Sequence, residues 1–144
     1  MFKNITVAID GSDHAWKALS VACDLAKHYD GQIHLIHTPE LRSTGIAVGS
    51  GAIEIPPTAA QIAKAGEVVM AEAATIARDA GVEPANQFVR NGTPSAEAIR
   101  TAEETDSDLI VTGRRGVGGI QSLLMGSTSQ KIAHDAPCAF LTVK

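Results

Sequence analysis

Three glycines and a serine carry the spacing with the clearest chemical meaning. Gly113 is followed after two residues by Gly116, then after nine by Gly126, and at once by Ser127. Arg114 and Arg115 lie inside the first gap. Ahead of the glycines, Leu109-Ile110-Val111 is a short apolar run of the kind a buried strand shows. Behind them, Ser127 with Gln130 three residues on is a capping-box signature for a helix start. The order is strand, glycine loop, helix N-terminus. A helix N-terminus presents unpaired N–H groups and a partial positive charge, so it attracts phosphate. Glycine lets that backbone approach the anion with no Cβ between them.

The rest of the chain supplies elements to hold such a loop. Ile5 to Ile9 is a mostly apolar strand ending in Asp10-Gly11-Ser12, and Ser12 is placed to cap the helix that follows. There Ala15, Ala18, Leu19, Ala22, Leu25 and Ala26 form one helical face. Tyr29-Asp30-Gly31 is a stop, with glycine expected at the C-cap. Gln32 to Thr38 is a second strand, closed by Pro39. Residues from Pro39 to Pro57 are rich in Ser, Thr and Gly and read as a long loop, either a plain insertion or a lid over a site. Thr58 to Ala80 is a helix with Ile62, Gly66, Val69, Ala73, Ile76 and Ala80 on its buried stripe. Asn86 to Asn91 is a third strand. Thr93 then caps a helix with Pro94 at its first position, running to about Thr105. After the glycine loop a helix runs from Ser127 to about Asp135, Pro137 stops it, and Cys138 to Val143 is the last strand.

Five strands and four helices in strict alternation predict an α/β fold, a doubly wound parallel sheet with helices on both faces and right-handed crossovers. The 144 residues fit a single domain. Ligands of such sheets bind at the carboxyl ends of the strands, where the winding reverses. The strand pattern alone allows either a 3-2-1-4-5 order or a flavodoxin-like one. In the first, the reversal brings Asp10-Gly11-Ser12 and Thr112-Gly113 into one crevice.

Composition removes several classes of function. Net charge is −4, no basic run occurs, and aromatics are only 3%, so nucleic acid is not an expected partner. No apolar stretch reaches the roughly 18 residues of a membrane span. Met1-Phe-Lys-Asn-Ile5 is strand-like and not a signal sequence. Cys23 and Cys138 have no metal or redox spacing and fit reduced thiols in a cytoplasmic protein. There is no P-loop motif, Gly116-Val-Gly118-Gly119 is not a dinucleotide fingerprint, and His14, His28, His34, His37 and His134 are scattered rather than set for nucleophilic catalysis. Phosphoryl transfer needs positioned metal ligands and a positioned nucleophile, and no full set is present.

The Gly113, Gly116, Gly126, Ser127 spacing resembles the nucleotide-binding signature of the universal stress protein family. The resemblance extends along the chain: Val7-Ala-Ile-Asp-Gly-Ser12, His37-Thr38, Gly92-Thr-Pro94, Asp108-Leu-Ile-Val-Thr-Gly113 and Ala136-Pro-Cys-Ala-Phe-Leu-Thr-Val143 all match it. It implies the 3-2-1-4-5 strand order, ATP binding with Mg2+, and a role as a stress-response sensor or regulator, with a slow ATPase or an enzyme on an adenylated substrate as the alternative. By that resemblance Ala8, Ile9 and Thr38 frame the adenine. Asp10, beside Ser12, meets a ribose hydroxyl or a metal. Thr112 and Gly113 line the ribose, Arg115 and Gly116 approach the phosphates, and Gly126, Ser127 and Thr128 cradle them. It also implies a homodimer through Cys138 to Val143, with an unidentified protein partner left open.

Overall fold

The computed structural model describes residues 1–41, 43–114 and 126–144. In chain order the elements are β1 (Asn4–Ile9), α1 (Asp13–Tyr29), β2 (Gln32–His37), β3 (Thr44–Val48), β4 (Gly51–Ile55), α2 (Ala59–Asp79), β5 (Asn86–Val89), α3 (Pro94–Glu104), β6 (Leu109–Gly113), α4 (Ser127–Asp135) and β7 (Ala139–Val143). Five strands form one sheet in the order β5-β2-β1-β6-β7, and every pairing in it is parallel. This is the expected doubly wound α/β sheet with its four helices, and the order matches the 3-2-1-4-5 pattern. The reversal lies between β1 and β6.

Alternation along the strands splits the core into two layers. Ile5, Val7, Ile9, Leu109 and Val111 pack with Ala18, Leu19, Ala22 and Cys23 of α1 and Met70, Ala73 and Ala77 of α2. Ile36 and Ile110 face the other way, toward Ala98 and Ala102 of α3 and Ile132 of α4. Small residues let the helices lie close. Gly66 of α2 has no room for a Cβ, which would stand 2.4 Å from a methyl of Val89. Burying aliphatic surface at roughly 25 cal/mol per Å² is what holds the layers together, and among these two clusters alanine, valine, leucine and isoleucine dominate.

Four expectations need correction. Pro39 to Pro57 is not a plain loop. It holds an antiparallel hairpin, β3 with β4, in which Ile46 stands opposite Ile53 and Val48 opposite Gly51. Gly49 sits at φ +61 in the turn, as two-residue hairpins with glycine first require. The C-cap of α1 is Asp30, at φ 51 and ψ 51. Gly31 is needed for a different reason: a Cβ there would come 2.4 Å from the Phe2 carbonyl oxygen. The buried stripe of α2 is turned from the expected one, with Met70, Ala74 and Ala77 innermost beside Gly66 and Ala73. Finally, α4 is capped by Gly126, without a side-chain cap bond. The Gly126 carbonyl already accepts from Gln130 N–H at 3.0 Å, so Ser127 falls inside the helix rather than at its cap.

Candidate functional site at the sheet reversal

Register alone brings the predicted strand ends together. Ala8 of β1 pairs with Ile36 on one side and with Thr112 of β6 on the other, and Ile9 pairs with His37. Because the strands are parallel, Asp10, Thr38 and Gly113 follow at the same end of the sheet. The ends are also tied by side chains. His37 is buried, and its Nδ1–H donates to the Ile9 carbonyl at 2.7 Å. The signal for this was present in the sequence as a histidine at a strand end, but its partner is a backbone group on another strand.

Asp10 is exposed at the tip of β1. Its Oδ1 accepts from Ser12 N–H at 2.9 Å and from the Ser12 hydroxyl at 2.6 Å. Ser12 in turn caps α1, accepting from Ala15 N–H at 3.2 Å. The turn needs Gly11, which sits at φ +82. One carboxylate oxygen is thus engaged in holding the turn, and the exposed carboxylate still faces solvent.

Gly113 ends β6 against the first turn of α1, where a Cβ would lie 2.7 Å from the His14 carbonyl carbon. Gly126 N–H donates to the Arg114 carbonyl at 3.0 Å, while Arg114 N–H donates to the Val143 carbonyl at 2.7 Å. Ser129 of α4 is buried, donates to the Gly113 carbonyl at 3.1 Å and lies 3.3 Å from the Thr112 hydroxyl. Ser129 escaped the sequence reading, yet it fastens the start of α4 to the end of β6. Thr112 therefore turns its hydroxyl under α4. Ile9 is buried in the core, so only its backbone is available at the rim. Ser127 is exposed and Thr128 half-buried at the start of α4. Arg115 and Gly116 lie outside the described residues.

Two helix N-termini, α1 and α4, therefore open beside the reversal, one on each flank of Gly113. They differ in charge. The first turn of α1 carries Asp13, and Asp10 stands just before it. The first turn of α4 carries no acid. An anion is favoured at a helix N-terminus, and carboxylates nearby cancel that preference. The two ends thus suit different groups: hydroxyls at Asp10, an anion at Gly126. Among the described residues no group of three His, Cys, Asp or Glu side chains could hold a metal ion. No described helix is long and apolar enough to cross a membrane.

An open parallel sheet with two helix N-termini at its reversal defines a Rossmann-like ligand-binding architecture. The chain belongs to the universal stress protein family, whose profile matches residues 1–144. It is similar to universal stress protein YxiE of Bacillus subtilis, 31% identical with all of both chains covered. In three dimensions it resembles a universal stress protein of Archaeoglobus fulgidus in complex with dAMP, with TM-score 0.71, 23% identity, and 99% of this chain and 98% of that one covered. It also resembles a universal stress protein in complex with cAMP, with TM-score 0.76, 22% identity, and 99% and 97% covered.

Proposed function

We propose that the chain is a stress-response sensor or regulator that binds an adenine nucleotide, ATP with Mg2+, in the crevice between Asp10 and Gly126. The observation that carries this reading is the charge difference between the two helix starts. Phosphates belong at the acid-free N-terminus of α4, where Gly126 leaves room for close approach and Ser127 and Thr128 offer N–H and hydroxyl groups. The ribose belongs beside Asp10 and Ser12, and the base beside the backbone of Ala8, Ile9 and Thr38. The dAMP and cAMP complexes of the two similar folds support an adenine ligand. Mg2+ needs few protein ligands when phosphates supply the rest, so Asp10 and the triphosphate suffice as its donors. Arg115 and Gly116, outside the described residues, are assigned to the phosphates by the family signature alone. The protein works in the cytoplasm as a homodimer joined through the β7 edge, where Phe140 and Leu141 are half-buried. A further protein partner is left to the signalling role.

The second reading is a slow ATPase or an enzyme on an adenylated substrate. The exposed Asp10 carboxylate at the crevice favours it. Turnover well above ~1 s⁻¹, abolished by Asp10→Asn, is the result that selects it.

The test is thermal. A ligand at ~100-fold its dissociation constant stabilises the native state by about 2.7 kcal/mol, roughly 5–10 °C for a domain of this size. Nucleotide-stripped wild type is expected to gain that much with saturating Mg-ATP. Gly126→Asp is expected to lose the gain. Because Gly126 has φ −67 and ψ 155 at an N-cap, where aspartate is among the preferred residues, the ligand-free melting temperature should hold or rise. Absence of any shift in the wild type with ATP, ADP or AMP overturns the nucleotide assignment.

A further inference from the structure

One dipeptide away from the crevice sets an electrophile beside a nucleophile. Asn91-Gly92 lies in the connection between β5 and α3, and Asn91, Gly92, Thr93 and Pro94 are all exposed. The sheet lets go just before it, its last bond there running from Arg90 N–H to the His37 carbonyl at 3.0 Å. Helical bonding takes over at Glu97, whose N–H donates to the Thr93 carbonyl at 3.0 Å. In between, neither the Asn91 side-chain amide nor the Gly92 N–H has a hydrogen-bond partner among the described residues. Gly92 sits at φ +141, a conformation that side chains disfavour. A Cβ there would also come 2.9 Å from Glu97 Oε1. The fold therefore keeps a glycine, and with it an unshielded backbone nitrogen, directly after Asn91.

We propose that Asn91 is a self-modification site of the native protein, closing a succinimide with the Gly92 nitrogen and reopening as an aspartyl or isoaspartyl residue. The Gly92 nitrogen gives up its proton and bonds to Asn91 Cγ. The Cγ–Nδ2 bond breaks, and Nδ2 leaves as ammonia carrying that proton. Water then opens the ring. Attack at the former side-chain carbonyl leaves an aspartyl residue, and attack at the main-chain carbonyl leaves an isoaspartyl one. Native contacts single out this position. The other asparagines, Asn4 and Asn86, lie in strands with their side chains on His34 at 3.3 Å and 3.0 Å. They are followed by Ile5 and Gln87, whose side chains crowd the attacking nitrogen. Two Asp-Gly pairs have the same ring chemistry open to them but are held. Gly31 N–H is committed to the Ala26 carbonyl at 2.9 Å, and Asp10 Oδ1 to the N–H and hydroxyl of Ser12. Each conversion adds a negative charge two residues ahead of Thr93, the N-cap of α3, whose side chain makes no cap bond. Negative charge near a helix N-terminus is favourable, so the aspartyl form stays folded. The isoaspartyl form routes the main chain through the side chain of position 91 and presents the substrate of an isoaspartyl carboxyl methyltransferase.

Ageing the full chain under native conditions, at neutral and at mildly alkaline pH, tests this, with circular dichroism checking that it stays folded. Intact mass is expected to rise by the exchange of an amide NH2 for OH, faster at the higher pH because the Gly92 nitrogen must lose its proton, with ammonia released in equal amount. Peptide mapping should place the change at Asn91 in both product forms, and an isoaspartyl carboxyl methyltransferase should label the aged chain but not the fresh one. Asn91→Gln, whose longer side chain closes a ring far less readily, is expected to lose both the mass change and the label. A native chain whose mass stays constant over the time in which the urea-unfolded chain converts overturns the proposal. So does a change that maps to Asn4 or Asn86, or one that persists in Asn91→Gln.

Discussion

Gly113 and His14 stand closer than any side chain on Gly113 allows: a Cβ there would lie 2.7 Å from the His14 carbonyl carbon and 2.8 Å from the His14 Cβ. The obstacle is the backbone of α1, which cannot give way without disturbing the Ser12 cap and the Asp10 turn. Gly113→Ala is therefore expected to destabilise the fold by about 1–3 kcal/mol, the range for overpacking a close contact, and to lower the melting temperature by several degrees. The same substitution pushes α1 away from the crevice and should weaken any nucleotide-dependent shift. A melting temperature equal to wild type would show that the first turn of α1 is free to move.

A second expectation concerns acid. His34 is buried, with Nδ1 accepting from the Asn86 side-chain amide at 3.0 Å and Nε2 donating to Asn4 Oδ1 at 3.3 Å. Burial pushes its pKa below the usual histidine value, and protonating Nδ1 would require the Asn86 amide to turn over. The unfolded chain then binds this proton more readily than the native one. Stability should be full above the ordinary histidine pKa of about 6.5 and fall as pH drops below it. His134 works in the opposite sense, since Asp135 raises its pKa, but both are exposed and contribute little. Melting temperatures at neutral pH and near pH 5 should differ less in His34→Gln than in wild type. An equal difference in the two proteins rules out His34 as the source.

Two helix starts offer a matched pair of substitutions. At α2 the capping box is complete: Gln61 N–H donates to Thr58 Oγ1 at 3.3 Å, and Thr58 N–H donates to Gln61 Oε1 at 2.8 Å. At α4 the same sequence signature, Ser127 with Gln130, makes no such cap. Thr58→Ala should cost about 1 kcal/mol. Ser127→Ala should change ligand-free stability by less than about 0.5 kcal/mol, as exposed substitutions usually do. Chemical denaturation of both variants checks this, and equal losses would contradict the assignment of Gly126 as the cap.

That contrast shows where the sequence was legible. The five sheet strands stood out because both their faces are covered, so they read as continuous apolar runs. Asp10 and Ser12 were legible because a turn and a cap are local events. Which of two adjacent residues caps a helix was not, because it depends on where the chain arrives from β6. The hairpin of β3 and β4 was missed although Gly49-Ser50 is a two-residue turn signal. Its second face is made of Gly45, Ala47, Ala52 and Glu54, so it lacks the β-branched density that marks a strand. Ser129 and His37 were invisible as ties because their partners are carbonyls on other elements.

The central position of β1 has a kinetic consequence. One edge of β1 pairs with β2, which follows it closely, but the other pairs with β6, and Lys3 N–H reaches Asp108 across 105 positions of chain. Ribosomes add roughly 5–20 residues per second. For about 5–20 s after it emerges, the strand at the middle of the finished sheet therefore has one edge of N–H and C=O groups open to whatever it meets. Such non-local pairing also slows folding, because loop closure precedes its reward. The nascent chain is most vulnerable to wrong pairing along the edge that later becomes its most protected seam.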